Sequence, residues 1–501
     1  MAERLIGIDA GGTMTKAAIF DAKGHELACE RRPNQMLFPA PGHTERDPDH
    51  MWRAACEAIA VALEVSGTAP GDVAAISLSG YGAGLYVVDA EGDPVRPGIV
   101  STDTRANALV AAWEADGRAR RNGLLVQQRL WSGQPPALLA WLCAHEPESL
   151  SRAHSITFCK DFLRRRLCGD HSTDESDAGI AGLIDVTRAA YAEDLFHDLG
   201  IEAWLDKLPA IAPATEVVGG VQPSAARLTG LKEGTPVVRG LVDVSASALA
   251  SGSIDESRLI AVAGTFSINQ TLHRAPRLSK LPFLQSAYPV DGLFLATEGG
   301  ATSASNLEWV CKRVLGAEAE RAEAAGRSIY DVCNALVADS LDRPNDILFF
   351  PFLFGGPGGA PAGLLGMTAG NDLADVVRAV YEGVAFAHKS DIDALMTGPD
   401  AAKPRVVRLA GGASRSPVWA QIFADVLGLP VETTESSELG ALGVAMTAAV
   451  AVGLVPDLET AVARMVRLQT RFEPRPERSA AYAKKYRRYS ETAEVLGGLW
   501  A

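Results

Sequence analysis

The stretch Leu5–Asp21, LIGIDAGGTMTKAAIFD, decides how the rest of the chain is read. Leu5 to Ile8 is a short apolar run and reads as a buried strand. Asp9 and Ala10-Gly11-Gly12-Thr13 follow, and Ala17 to Phe20 is a second apolar run. Strand, glycine turn, strand is a hairpin with a carboxylate and a hydroxyl at its mouth. Glycines let backbone N–H groups approach an anion closely, and Thr13 adds a donor. Lys16 supplies positive charge nearby. Asp9 suits a Mg²⁺ travelling with a phosphate, because magnesium takes oxygen ligands and keeps several waters. An ordinary hairpin, in which Asp9 and the glycines serve only the turn, explains this stretch equally well.

Outward from it, strands and helices alternate. Asp47-Pro48 reads as an N-cap followed by Pro at the first helical position, and Met51, Ala55, Ile59 and Leu63 recur at helical spacing. Val73 to Leu78 is the next strand and runs into Ser79-Gly80-Tyr81-Gly82-Ala83-Gly84. This order predicts an α/β protein with a mixed sheet. Val237 to Val242 is a strand with Asp243 at its end, opening a small-residue helix. Leu259 to Ala263, Gly264-Thr265 and Phe266 to Leu272 then repeat the opening hairpin. A repeat on this scale predicts two related domains with a boundary near residue 250. Ala226 to Gly234 reads as a polar connector, Asn371 as the cap of a long helix, and the stretch from Thr470 as a solvated charged helix. Val406 to Leu409 is a strand ending in Gly411-Gly412-Ala413.

A chain of 501 residues is too long for one core. Its 47% hydrophobic and 22% charged content is globular. A net charge of -14 argues against a general binder of nucleic acid or membrane surfaces, which usually carry basic faces. Seven scattered cysteines without zinc-ligand spacing fit a reducing cytoplasm rather than a disulfide framework. No signal peptide is visible at the start of this sequence. Ala441 to Val455 falls short of a membrane span and reads as a buried helix.

Three glycine turns, Gly11-Gly12-Thr13, Gly264-Thr265 and Gly411-Gly412, together look like phosphates held from two sides and a nucleoside at a third. Asp243 is the sharpest single residue. A helix N-terminus favours an ionised carboxylate, so an anionic base at neutral pH is expected, able to take a proton from a hydroxyl that attacks a γ-phosphate. The competing role is a plain N-cap.

At this point the sequence resembles the FGGY carbohydrate kinases, and the likeness covers nearly the whole chain. It is carried by IGIDAGGTMTKAAIFD, LSGYGAGLYVVDAEGDPVRPGIVSTDTRA, GTPVVRGLVDVSASALASG, VAGTFSINQ and LAGGASRSPVWAQIFADVLGLPVETTESSELGALGVA. The resemblance implies two RNase H-like domains of the actin/hexokinase/Hsp70 ATPase fold with an active-site cleft between them. Residues 1–250 would then form the sugar-side domain with the catalytic base, and 251–501 the nucleotide-side domain. It implies Asp243 as the base, Asp9 as the metal residue, and ATP held by Gly11, Gly12, Thr13, Lys16, Gly264, Thr265, Gly411, Gly412 and Ala413. ATP and Mg²⁺ are the implied cofactors, and homodimers are common in the family.

Within the family the likeness is greatest to L-xylulose kinases, with erythritol kinases further off; SGYGAGL, STDTRA, LWSGQPPALLAWLCAHEPE and TSASNLEW carry it. Glycerol kinases have an Arg-Glu pair where this chain has Gly82-Ala83, and D-xylulose kinases have Met-His. A Trp common at the next turn is Ser101 here, and a Lys of one family signature is Leu138. Sugar hydroxyls must therefore find other partners, and Tyr81, Gly82, Ala83, Asp103, Arg105, Gln134 and Asp243 are the substrate-side candidates. Asp103 could equally cap a helix, Arg105 form a surface ion pair, Gln134 lie in a solvated loop and Tyr81 belong to the core. The expected activity is ATP-dependent phosphorylation of a small ketose, a pentulose such as L-xylulose. Erythritol or D-xylulose is the alternative acceptor. A non-sugar ATPase binding module on the same fold is the reading from another class.

Overall fold

The computed structural model describes residues 3–500. The chain forms two compact α/β units. The first is made of residues up to Ile254 with His273–Ala296 and Glu438–Val466; the second is made of Asp255–Leu272, Thr297–Ser437 and the chain from Arg467 onward. A single cut at residue 250 therefore does not divide them, because two later segments return to the N-terminal unit. The physical reason is clearest for the helix Leu439–Ala451, LGALGVAMTAAVA, which is apolar on every face and must be covered all round. It packs on the strands Arg4–Ala10 and Val73–Gly80 and on the helix Asp243–Ala250. The approach is backbone to backbone: a Cβ at Gly7 would lie 2.0 Å from the Ala441 carbonyl oxygen, and one at Gly443 2.0 Å from that of Ala246.

The sheet of the N-terminal unit runs Val217–Gly220, Pro236–Val242, Val73–Gly80, Arg4–Ala10, Met14–Phe20, Glu26–Pro33. The opening hairpin pairs antiparallel with Ile8 opposite Ala17 and Asp9 opposite Lys16. Its first strand pairs parallel with Val73–Gly80, which sets Asp9 beside Ser79. The helix Pro48–Ser66 buries Met51, Ala55, Ile59 and Leu63 in the same core; Asp47 caps it by accepting from the Asp49 N–H, and left-handed Gly67 ends it.

The second unit repeats this plan. Arg258–Ala263 pairs antiparallel with Ser267–His273 and, on its other edge, parallel with Val406–Gly411. The sheet continues through parallel Val431–Thr434 to antiparallel Leu468–Phe472. The two glycine turns thus mark a repeated topology.

Three local expectations are corrected. Residues 223–229 form a helix, with Pro223 at its start and left-handed Gly230 at its end, where a polar connector was expected. The long helix Leu373–Leu395 is capped by Asp372 in a capping box with Asp375; Asn371 instead donates to the Asp375 carboxylate. The last helix, Pro476–Trp500, is not wholly solvated, because Tyr482 and Lys485 are buried against the carboxylate of Glu382.

Candidate active site

The first hairpin is clamped from behind. The buried Arg46 guanidinium donates to the carbonyls of Gly11 and Gly12 and lies over the Tyr81 ring, 5.0 Å from its centroid. Asn34 donates its side-chain N–H to Gly11 O at 2.9 Å and its backbone N–H to Thr13 O at 2.8 Å, and its Oδ1 accepts from Thr15 Oγ1 at 2.8 Å. With these carbonyls held, the turn is fixed and Thr13 is exposed. Lys16 Nζ lies 2.9 Å from Glu438, which also takes Arg31 at 2.6 Å, so the charge of Lys16 is shared with a carboxylate of its own unit.

Asp9 accepts from Ser79 Oγ at 3.0 Å. The helix start at Gly440 approaches so closely that a Cβ there would lie 2.7 Å from the carboxylate carbon. Burial pushes the Asp9 pKa up, against the pull of Lys16 and Ser79.

Asp243 is the first residue of the helix Asp243–Ala250, and Val242 holds the N-cap position. Its carboxylate accepts from the Val244 N–H at 2.7 Å and from the Gly82 N–H. Burial, with the Asp9 charge adding to it, nevertheless raises its pKa to about 7. The helix-terminus argument for a fully ionised Asp243 is therefore corrected: desolvation outweighs the two N–H donors. A pKa near the working pH is what a general base needs.

Gly82 admits no side chain, since a Cβ would meet Ile180 Cγ2 at 2.6 Å and Val242 Cγ2 at 2.7 Å. Its neighbour Ala83 is left-handed at φ 58°, a conformation that costs a non-glycine residue on the order of 1 kcal/mol and clusters at functional sites. Of the two, Gly82 reaches Asp243 directly through its N–H. The other substrate-side candidates each have protein partners. The hydroxyl of buried Tyr81 meets that of Tyr86 at 2.8 Å. Asp103 is buried, accepting from Thr44 N–H at 2.6 Å and from the Arg105 side chain at 2.9 Å. Arg105 is no surface ion pair: its side chain is buried, bridges to Glu45 at 2.7 Å and lies over the Trp141 ring. Gln134 is buried rather than solvated, accepting from Trp131 N–H and donating to Gln128 and to Ile180 O, each at 3.3 Å.

In the second unit, Gly264, Thr265 and Gly412 line one cavity of about 390 Å³ with Asn334, Tyr381, Arg415 and Trp419. Asn334 Oδ1 accepts from Ser416 Oγ at 2.7 Å and Tyr381 OH at 2.9 Å, and the Tyr381 and Trp419 rings sit 4.4 Å apart. The two rings are tilted by 33°, and Glu308, Asp331 and Arg415 add charged groups to the lining, in a cavity of the size that takes a small organic ligand. Gly411 supports the floor: it is left-handed at φ 79°, and a Cβ would lie 2.5 Å from Ala263 O. Ala413 is packed in the core and does not line the cavity. Asn334, Tyr381, Arg415, Trp419, Arg46 and Asn34 are not picked out by the sequence, which shows of this cavity only the Gly264-Thr265 and Gly411-Gly412 turns. Among the described residues no group of three or more His, Cys, Asp or Glu could hold a metal ion by itself, and all seven cysteines are free thiols.

The family model for the N-terminal domain of FGGY carbohydrate kinases matches residues 4–250, and that for their C-terminal domain matches 259–452. The chain belongs to the FGGY family of carbohydrate kinases. This FGGY kinase is 34% identical over 98% of both chains to a probable L-xylulose kinase of Pasteurella multocida. It is 33% identical to the L-xylulose/3-keto-L-gulonate kinase of Escherichia coli, over 100% of this chain and 99% of that one. Among solved structures, the xylulose kinase of Rhodospirillum rubrum superposes with a TM-score of 0.87 at 26% identity over 99% of both chains. The glycerol kinase of Plasmodium falciparum, solved with ADP, shares the fold at TM-score 0.84 and 17% identity over 98% of both chains. The two α/β units of the FGGY kinase are those of the actin/hexokinase ATPase fold. No helix among its described residues is long and apolar enough to cross a membrane.

Proposed function

We propose that this kinase transfers the γ-phosphoryl group of ATP to a hydroxyl of a small ketose, with a pentulose such as L-xylulose as the acceptor. The observation that carries the chemistry is Asp243: a buried carboxylate gripped by the Gly82 and Val244 N–H groups, with its pKa raised to about 7. Its carboxylate takes the hydroxyl proton as the oxygen attacks the γ-phosphorus, the bond to the β-phosphate bridging oxygen breaks, and ADP leaves. The C-terminal cavity lined by Tyr381, Trp419 and Gly412 takes the nucleoside, and the Gly264-Thr265 turn supplies phosphate donors. Gly11, Gly12 and Thr13 form the second phosphate turn, held open by Arg46 and Asn34.

Mg²⁺ fits the acidic side of the first unit. Asp9 and Asp243 are both carboxylates whose pKa is raised by burial, and Asp9 is near enough to raise that of Asp243 further. A cation offsets such charge, and one carboxylate with waters is a usual magnesium set. When bound with ATP, Mg²⁺ neutralises charge on the phosphates; Asp9 is the residue that would hold it. The pentulose choice rests on the full-length likeness to the L-xylulose kinases. The free thiols support a cytoplasmic setting, and the family resemblance a homodimer, which light scattering can measure.

The test joins one variant and one panel. Asp243→Asn is expected to cut turnover at least about a thousandfold while ATP binds within twofold of the parent, since it removes the proton acceptor without touching the nucleotide cavity. Normal turnover would remove Asp243 from its role. ADP release is then measured with L-xylulose, 3-keto-L-gulonate, D-xylulose, L-ribulose, erythritol and glycerol. Preference for erythritol or D-xylulose would replace the acceptor, and no response to any sugar would favour a binding module.

A further inference from the structure

The N-terminal unit buries a charged cluster that the chemistry above does not use. Lys160, on the helix Cys159–Cys168, is fully buried with its Nζ 2.6 Å from Asp161, 2.9 Å from Asp174 and 3.1 Å from Asp177. Asp174 caps the helix Glu175–Ile180 by accepting from the Ser176 N–H at 2.8 Å, and the same carboxylate oxygen takes the Ser176 hydroxyl. Ser176 Oγ in turn accepts from the backbone N–H of Val242 at 3.1 Å. Val242 is the residue immediately before Asp243.

That backbone needs holding. The strand Pro236–Val242 loses register against Val73–Gly80 between Val238 and Leu241. Gly240 is left-handed at φ 84°, and a Cβ there would lie 2.0 Å from Leu78 O. An irregularity of this kind re-aims the side chains beyond it, and the ladder resumes only for Leu241 and Val242, at the very end of the strand. Two more tethers from the same cluster reach the region. Arg164 donates to Asp161 at 2.6 Å and to the carbonyl of Arg239, inside the irregular stretch, at 2.8 Å. Ile180, at the end of the Asp174-capped helix, packs on the spot where Gly82 has no side chain, and Gly82 supplies an N–H to Asp243.

We propose that Lys160, Asp174 and Ser176 are positioning residues for Asp243: the buried ion cluster anchors Ser176, and Ser176 fixes the Val242 N–H and so aims the carboxylate one residue on. This rests on Asp243 as the base. Packed apolar residues stabilise a core at least as well as buried ion pairs do. A fully buried lysine among three carboxylates is better explained by the geometry it enforces than by stability.

The test measures steady-state kinetics, ATP affinity and melting of the full chain for Ser176→Ala and Asp174→Asn beside Asp243→Asn. Ser176→Ala frees the Val242 N–H. Asp174→Asn keeps an acceptor for Ser176 but removes the charge that faces Lys160, and serves if the first variant does not fold. Both are expected to lower kcat about tenfold or more, with ATP affinity within twofold, because a misaimed base slows proton removal without disturbing nucleotide binding. An unchanged kcat in both, with Asp243→Asn inactive, would overturn the positioning role and leave the base standing. A kcat loss matched by an equal loss of ATP affinity would mark a general structural role and overturn it too. Turnover by Asp243→Asn would overturn the base, and the inference with it.

Discussion

Gly82→Ala places a methyl group against the residues that frame the base. The new carbon would sit 2.6 Å from Ile180 Cγ2 and 2.7 Å from Val242 Cγ2. Carbon pairs rest at about 3.5–4.0 Å, so roughly 1 Å must be cleared at both contacts. Overpacking of this size costs about 1–3 kcal/mol. Relief of the clash by a shift of the chain at Gly82 draws its N–H away from Asp243. A hydrogen bond to a charged group is worth about 1.5–3 kcal/mol, which at 1.36 kcal/mol per unit raises the carboxylate pKa by about one to two units. The sign follows from the role. Asp243 must be ionised to accept a proton, so kcat/KM for the sugar falls as pH drops through its pKa, about 7 in the parent. In the variant that acidic limb moves toward alkaline pH. At pH 6.5 the loss is then about 10- to 100-fold, and most of the rate returns by pH 9.5. The assay is ADP release over that range at saturating ATP. A uniform loss with the limb unmoved would refute the link between the Gly82 N–H and the charge of the base.

Two further expectations concern the glycine turns. Gly411→Ala should cost about 2 kcal/mol or more, from a left-handed φ of 79° and a Cβ 2.5 Å from Ala263 O, whereas Gly412→Ala, whose nearest neighbour is 3.6 Å away, should cost under about 1 kcal/mol; equal melting temperatures for the two would contradict this. Arg46→Met removes the donors that hold Gly11 O and Gly12 O, and should destabilise by about 1–3 kcal/mol and raise the KM for ATP about tenfold; an unchanged KM would separate that clamp from phosphate binding.

What the sequence revealed was local. The hairpin at Leu5–Phe20 and its repeat at Leu259–Leu272 could be read because each is two apolar runs about a glycine turn, and Asp243 because it ends an apolar strand. The cavity could not be read: Asn334, Tyr381 and Trp419 come from three separate helices, and nothing local brings them together. Nor could environment. Asp103, Arg105 and Gln134 look like available polar groups in the sequence, yet the fold buries all three among partners of their own. The charge of Asp243 was misjudged for the same reason. A helix terminus is visible in a sequence, whereas the desolvation that overrides it depends on what the chain packs around it. The all-apolar pattern of Leu439–Ala451 announced a buried helix but not the sheet that buries it.

During synthesis the strands of the N-terminal sheet leave the ribosome long before the helix that covers them. Its last strand ends at Val242 and the covering helix begins at Leu439, about 200 residues later. At about 5–20 residues per second this is an interval of roughly 10–40 s. Throughout it, the face around Gly7 and Ser77, where Ala441 and Thr447 of that helix later pack, lies open to chaperones and to other nascent chains. A message cut short before Leu439 would release a protein that already carries Asp243 but can never close the sheet beneath it.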